Sequence, residues 1–302
     1  MSEPAIGGAE RARIYGLLIF VTLLWAGNSI VARAIHTDIP PFTLALFRWT
    51  GALLLLLPFA MRHVRADRAE IARSWPIILL IGAVGVGCFN ALLYSGLQYT
   101  TATNGLLIQA AIPALVLLLN RLFFGVRARL AEIVGVLMAA AGVLTIIFRA
   151  DPAALLGLEF GRGDALVLGA VVMWGLYTAF LRLRPPIHPL SLIATTFLIG
   201  VIVMLPFSIW ELGHRPLRLN EGVLLGIGYV AIFPSIIAYM LYNQAVAEIG
   251  AGAAGQMISL QPLFGALLAA LLLSEPLHPY HFAGMALIVG GIVLPIVTRP
   301  RE

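Results

Sequence analysis

The sequence has no lysine: all 19 basic residues of the 302-residue chain are arginines. That absence excludes a phosphate-loop lysine and the Schiff bases of pyridoxal phosphate and retinal, and with them built-in ATP hydrolysis of the usual kind. Cysteine occurs once, at Cys88 in an apolar stretch, so no internal disulfide can form and the thiol reads as packing. Charge of either sign is scarce. Charged residues make up 11% of the chain and hydrophobic ones 61%, whereas an ordinary soluble domain is roughly 25% charged. With a mean hydropathy of +0.98, most of the chain belongs inside lipid.

The shortage of acid is informative by position as well as by number. All 14 acidic residues and all 6 histidines fall in loops or at the ends of apolar runs. No proton relay is therefore visible, and no buried Asp pair, Ser–His pair or His-Glu-x-x-His zinc site lies at membrane depth. These absences point away from an enzyme, leaving only a lipid-modifying activity in the surface loops as the enzymatic alternative. They also favour downhill, facilitated movement of a solute, with Glu248 or Glu275 at helix ends as the remaining groups for coupling. No cofactor and no metal are expected.

What is present is a series of apolar runs, each about 20 residues long and able at about 1.5 Å per residue to cross a hydrocarbon core of roughly 30 Å. Breaks of Arg, Pro, Asp and Gly place ten of them. The first five are Ile14–Ala34, Pro41–Met61, Trp75–Tyr94, Thr103–Phe124 and Leu130–Phe148. The second five are Asp164–Leu183, Pro189–Trp210, Gly222–Tyr242, Gly252–Leu273 and Tyr280–Val297. Helices are the expected element, because a membrane strand is half as long and alternates. Ala32-Arg33-Ala34 resembles a cleavage site after an apolar run, but that run is too long for a signal peptide and has a counterpart later in the chain.

The arginines lie between these runs rather than in a basic stripe, so a pI near 9.8 reads as topology rather than nucleic-acid binding. Arg11, Arg13, Arg62, Arg65, Arg68, Arg73, Arg121, Arg127, Arg129, Arg182, Arg184, Arg299 and Arg301 fall on the side of both termini. Arg33, Arg149, Arg162, Arg215 and Arg218 fall on the other. The positive-inside rule then puts both termini of the multi-pass chain in the cytoplasm.

Sliding the chain by 149 positions superimposes Trp25 on Trp174, Arg33 on Arg182, Pro40 on Pro189, Pro113 on Pro262, Gly135 on Gly284 and Gly142 on Gly291. The chain accordingly divides into a first repeat at 11–149, an external linker at 150–163 and a second repeat at 164–299. Five spans is an odd number, so the second repeat enters the membrane from the opposite side. The expected fold is all-α: ten transmembrane helices as two inverted-topology five-helix repeats around a central cavity. One pattern packed two ways gives inward-open and outward-open states of similar energy, a symmetry that suits transport rather than a scaffold or receptor. A monomer suffices, because one chain holds both halves.

The pattern Tyr99-Thr100-Thr101-Ala102-Thr103-Asn104, then Pro113-Ala114-Leu115, Gly135 and Gly142 resembles the EamA repeat of the drug/metabolite transporter superfamily. Its second copy is Ile249 to Gly255, Gln261-Pro262-Leu263, Ser274-Glu275-Pro276, Gly284 and Gly290-Gly291. The first copy departs from the family pattern after its fourth span, reading Gly125-Val126-Arg127 where the second keeps Glu275. Within the family the chain resembles a branch of bacterial amino-acid exporters. That resemblance implies efflux of amino acids, aromatic ones among them, and related small metabolites, with a multidrug or other metabolite exporter as the alternative.

Polar residues at mid-membrane depth must face protein or water. Those available in the first half are Asn28, Asn90, Asn104 and Gln109, with Tyr94 and Tyr99 near the surface. In the second half they are Tyr177, Thr178, Tyr239, Tyr242, Asn243, Gln256, Ser259 and Gln261. Trp25 and Trp174 are repeat mates near mid-span, and Asn28 and Tyr177 follow them by one helical turn. They line a chamber between the halves or simply pack between helices. Asn90, Tyr239, Asn243 and Gln256 contact a solute or bond between helices. Tyr94, Tyr99, Tyr242 and Asn243 stand at span ends, where a tyrosine is either interfacial belt or gate. Pro113 and Pro262 bend or unwind the fourth span of each half. Arg48 is the one intramembrane charge and has no acid at its depth. It clamps a substrate carboxylate, snorkels outward or binds carbonyl oxygens. The expected partners are a small solute such as an amino acid and membrane lipid, with no nucleic acid.

Overall fold

The computed structural model describes residues 8–100, 105, 108–148, 161–273 and 278–298. The motif residues Thr101 to Asn104, most of the linker and Ser274-Glu275-Pro276 lie outside them. Among the described residues all regular structure is helical. The helices are α1 (Gly8–Ala34), α2 (Pro41–Ala66), α3 (Arg68–Arg73), α4 (Trp75–Gly96), α5 (Ile112–Phe124), α6 (Leu130–Ile147), α7 (Arg162–Phe180), α8 (Pro189–Leu212), α9 (Glu221–Ile249), α10 (Ala251–Gln256), α11 (Leu260–Leu273) and α12 (Pro279–Val297).

Seven of these, α1, α2, α4, α7, α8, α9 and α12, are long and apolar enough to cross a membrane; α5 and α6 are shorter apolar helices. The fourth expected span is helical at Gly105, Ile108 and Gln109, breaks into a turn at Ala110 and Ala111, and resumes as α5 at Ile112 with Pro113 in its first turn. The ninth is interrupted by a 3-10 turn at Met257–Ser259 between α10 and α11, just ahead of Pro262. Proline lacks the N–H that would continue the ladder, so both breaks fall where the missing donor costs least, in the first turn of the following helix. Outward-facing apolar side chains such as Leu54, Phe59, Leu122, Leu137, Ile202 and Leu225 give the helices an apolar exterior suited to lipid.

Two departures from α-helix have no counterpart in the sequence reading. Residues Ala83–Cys88 of α4 and Ile232–Ile237 of α9 are π-helical turns, and they stand at the same 149-residue offset as the other repeat mates. In the second, Pro234 has no N–H for the carbonyl of Val230, and the Ser235 hydroxyl donates to that oxygen instead at 2.6 Å. A π turn carries one residue more than an α turn, which rotates every later side chain by about 100° about the axis.

Repeat mates pack antiparallel. On α6 and α12, a Cβ at Gly135 would lie 2.3 Å from the Gly291 carbonyl oxygen, and one at Gly142 would lie 2.5 Å from that of Gly284. The two backbones therefore touch along a glycine seam that no larger residue fits. On α2 and α8, each helix carries near its C-terminal end a carboxylate that caps the other's N-terminus. Asp67 accepts from the His188 N–H at 2.9 Å and the Ser191 hydroxyl at 2.6 Å. At the opposite end, buried Glu211 accepts from the Thr43 N–H at 2.9 Å and its hydroxyl at 3.1 Å. Free N–H groups at a helix start need acceptors when water is scarce, and a carboxylate at the C-terminal end of the partner helix supplies one at each end of the pair. The Ser191 and His188 bonds hold the Asp67 carboxyl below its ordinary pKa.

Candidate functional site

Arg48 sits in the second turn of α2, facing inward, and is 2% exposed. It does not snorkel. Its Nε donates to Ser235 Oγ at 2.6 Å. Its Nη1 faces Asn28 Oδ1 at 3.2 Å, Asn90 Oδ1 at 3.0 Å and Tyr94 OH at 2.7 Å. Its Nη2 donates to the Pro234 carbonyl at 3.2 Å. The Tyr94 hydroxyl passes its own proton to Asn28 Oδ1 at 3.0 Å. Thus α1, α2 and α4 of the first half close on the π turn of α9 in the second, and the guanidinium is solvated by five neutral oxygens. Pro234 supplies a carbonyl here because the wide turn splays it off the helix axis.

An aromatic wall adjoins this cage. Trp25 and Trp174 meet edge to face with centroids 4.9 Å apart, and Tyr242 lies 5.1 Å from Trp25. Phe89 is 4.7 Å from Trp174, and Tyr239 stands at right angles to Trp174 at 5.7 Å. Such offset contacts suit ring quadrupoles. Trp25 Nε1 donates to the Pro234 carbonyl at 3.1 Å, and Tyr239 donates its hydroxyl to the Gly85 carbonyl at 2.9 Å. Each π turn is therefore bonded by the opposite half.

Between cage and wall lies a cavity of ≈ 20 Å³ whose lining includes Trp25, Asn28, Arg48, Asn90, Gln109, Trp174, Tyr239 and Gln261. That volume holds about one water, so the chamber has no room for a solute in this conformation. Of the sequence candidates, Trp25, Asn28, Arg48, Asn90, Gln109, Trp174, Tyr239 and Gln261 line it, and Tyr94 completes the cage behind them.

The others are placed elsewhere. Tyr177 donates to Asn243 Oδ1 at 2.6 Å, and Thr178 pairs with the Tyr242 hydroxyl at 3.0 Å, a second polar layer made wholly by α7 and α9. Gln256 donates to the Gly291 carbonyl at 2.7 Å and ties α10 to α12. Tyr99 is 52% exposed, with the Arg162 guanidinium 4.9 Å above its ring, at the rim of the molecule. Tyr94 at 3% and Tyr242 at 1% exposure are not interfacial belt residues. Both follow a π turn by less than two α turns, and the added rotation carries them inward. The sequence reading missed Ser235 and the carbonyls of Gly85 and Pro234. A proline followed by serine within an apolar run was the available signal for the second π turn. Among the described residues no group of three or more His, Cys, Asp or Glu side chains is placed to hold a metal.

An apolar helical exterior, antiparallel repeat mates and a small polar chamber between the halves define a multi-pass membrane protein of two-repeat design. The EamA-like transporter family matches this chain twice, over residues 12–148 and 161–297, and the protein belongs to that family. The uncharacterized transporter YetK of Bacillus subtilis is 28% identical over 91% of this chain and 84% of its own length. An uncharacterized transporter of Archaeoglobus fulgidus is 27% identical over 92% of this chain and 95% of its own. An uncharacterized protein of Pseudomonas aeruginosa is 30% identical, covering 94% of each. A solved crystal structure with 19% sequence identity has the same fold, with a TM-score of 0.73 over 95% of this chain and 97% of the other.

Proposed function

We propose that the protein exports amino acids, aromatic ones among them, and related small metabolites by alternating access through the chamber between its halves. The observation that carries this reading is the position of the Arg48 cage and the Trp25–Trp174 wall. Both lie where the first half meets the π turn of the second, the place an inverted repeat reserves for its solute. The Asn28–Tyr94 layer and the Tyr177–Asn243 layer stand on either side of the indoles as the two closures. In this reading the shorter apolar helices complete ten spans, the repeats meet at a linker near 150–163, and both termini lie in the cytoplasm of a bacterial cell. Among the described residues no carboxylate or histidine lines the cavity, and in this reading the movement is facilitated rather than proton-coupled.

Counterflow uptake of radiolabelled amino acids into liposomes holding the purified protein, with and without a pH gradient, tests the reading. Saturable uptake that ignores the gradient and falls at least roughly tenfold in Trp25→Ala and Trp174→Ala supports it, since a buried aromatic anchor accounts for that much affinity. Absence of uptake for every amino acid overturns the amino-acid assignment, and uptake driven by the pH gradient overturns the uncoupled mechanism.

A further inference from the structure

Arg48, Trp174 and Gln261 bring hydrogen-bond donors to the cavity, and the protein does not receive all of their hydrogens. Nη2 of Arg48 carries two hydrogens and bonds only the Pro234 carbonyl among the described residues. Trp174 Nε1 makes no hydrogen bond of full geometry, only a looser approach to the Tyr242 hydroxyl. Gln261 is buried and brings an amide to the same lining. All three residues line the same cavity, and Arg48 is the one charged residue that does so. The oxygens that hold its guanidinium belong to Asn28, Asn90, Tyr94, Ser235 and Pro234, all neutral.

A guanidinium keeps its charge in proteins, and a buried cation without a counter-ion is among the costliest groups a membrane protein retains. The repeat itself does not impose a charge here: the mate of Arg48 is Phe197, which packs against Tyr239 with centroids 5.9 Å apart. The surplus donors and the surplus positive charge thus coincide at one cavity, and both are answered by the same chemistry, a carboxylate. Among the described residues the lining holds no acid to receive an ammonium group. The indole faces do not form an open cage for one either, because Trp25 and Trp174 are turned edge to face against each other.

We propose that the cavity selects solutes bearing a carboxylate and a net single negative charge over zwitterions. Arg48, Gln261 and the Trp174 N–H bind the carboxylate, and Trp25, Phe89 and Trp174 cover the apolar body. This rests on the reading of the cavity as the solute site and narrows it from amino acids and related metabolites to the anionic members of that set. Such a solute crosses with an uncompensated charge, because the protein supplies no proton to travel with it. A cell interior that is negative by about 100 mV then drives it outward and sustains a gradient of about 50-fold without any coupling ion.

The test uses proteoliposomes of the full chain and three radiolabelled probes of similar body: singly anionic N-acetylphenylalanine, zwitterionic phenylalanine and uncharged N-acetylphenylalaninamide. Membrane potential is set by potassium gradients with valinomycin. The expected result is saturable uptake of the anion that rises toward the ~50-fold limit when the lumen is about 100 mV positive and collapses when it is negative. Phenylalanine and the amide enter at least roughly tenfold more slowly, the phenylalanine without regard to potential. Arg48→Gln abolishes anion uptake, and Arg48→Lys, which keeps the charge but not the planar fork, restores part of it. Phenylalanine uptake equal to or faster than that of the anion, or anion uptake indifferent to potential in the wild type, overturns this inference while leaving the transport reading intact. Uptake of none of the three fails the transport reading itself, and the inference falls with it. The wild-type comparison decides the matter even if Arg48→Gln does not fold.

Discussion

The two halves make the same hydrogen bond with the residues exchanged. In the first, Tyr94 on α4 donates to Asn28 on α1 at 3.0 Å; in the second, Tyr177 on α7 donates to Asn243 on α9 at 2.6 Å. Tyr94 and Asn243 are repeat mates, as are Asn28 and Tyr177. The geometry of the contact is kept while the phenol and the amide change helices. A third pair diverges outright. Asn90 accepts from Arg48, whereas at the mated positions Tyr239 packs on Phe197. The lesson is that the repeat preserves a scaffold of antiparallel helices and closures but not a symmetric centre. One half contributes a solvated charge, the other a hydrophobic stack.

The sharpest way to break that comparison is to impose symmetry. Phe197→Arg places a second cation at the mated position, where Tyr239 already spends its hydroxyl on Gly85 and Trp49 fills the adjoining space. An unpaired buried charge costs about 3–5 kcal/mol, so the variant is expected to lose folded, monodisperse protein in detergent chromatography. A smaller asymmetry separates the two closures. Tyr94→Phe removes a bond to a charged group, worth about 2 kcal/mol, and Tyr177→Phe a neutral one, worth about 1 kcal/mol. Thermal unfolding in detergent should rank them in that order, and equal losses would mean that Arg48 does not lean on Tyr94.

The indoles differ less. Trp25 Nε1 is bonded to Pro234, whereas Trp174 Nε1 makes only a looser approach to the Tyr242 hydroxyl. Trp25→Phe should therefore destabilise more than Trp174→Phe by about 1 kcal/mol, read as a lower melting temperature. The smallest effect belongs to the α2–α8 caps. The Ser191 hydroxyl and the His188 N–H hold the Asp67 carboxyl below its ordinary pKa of 3.8 in the folded protein. Its contribution is therefore present above that pH and lost as the pH falls below it and through the folded value. Asp67→Asn should flatten the acid limb of a stability–pH curve below about pH 4 and leave stability at neutral pH slightly reduced.

The scaffold was legible because it is written in features that sequence displays directly: apolar length, punctuating proline and glycine, and a fixed offset between the halves. Pro113 and Pro262 mark real interruptions, and Gly135, Gly142, Gly284 and Gly291 mark the α6–α12 seam. The centre was legible only in part. Arg48, Asn28, Asn90, Trp25, Trp174 and Tyr239 stand out as polar or aromatic residues at mid-span, where lipid exposure is costly. Tyr94 and Tyr242 were obscured because counting residues along an uninterrupted α-helix leaves them at an interface. Ala83–Cys88 and Ile232–Ile237 share no residue in register, and nothing in the first segment's small apolar residues distinguishes a π turn from an α one. Gln256 was ambiguous for a different reason: an amide in a span satisfies itself equally well on a solute or on a neighbouring backbone, and only the Gly291 carbonyl decides between them.

The paired π turns also bear on why the two halves share one chain. The Gly85 carbonyl in the first turn is bonded by Tyr239 of the second half, and the Pro234 carbonyl in the second by Trp25 and Arg48 of the first. Separated from its counterpart, either half would expose an orphan acceptor to hydrocarbon, a cost of several kcal/mol that lipid has no means to relieve. Each half is in this sense the other's solvent. Fusion into a single polypeptide guarantees that the two are made together in equal number, so that neither must wait in the bilayer with its spare carbonyl unmet.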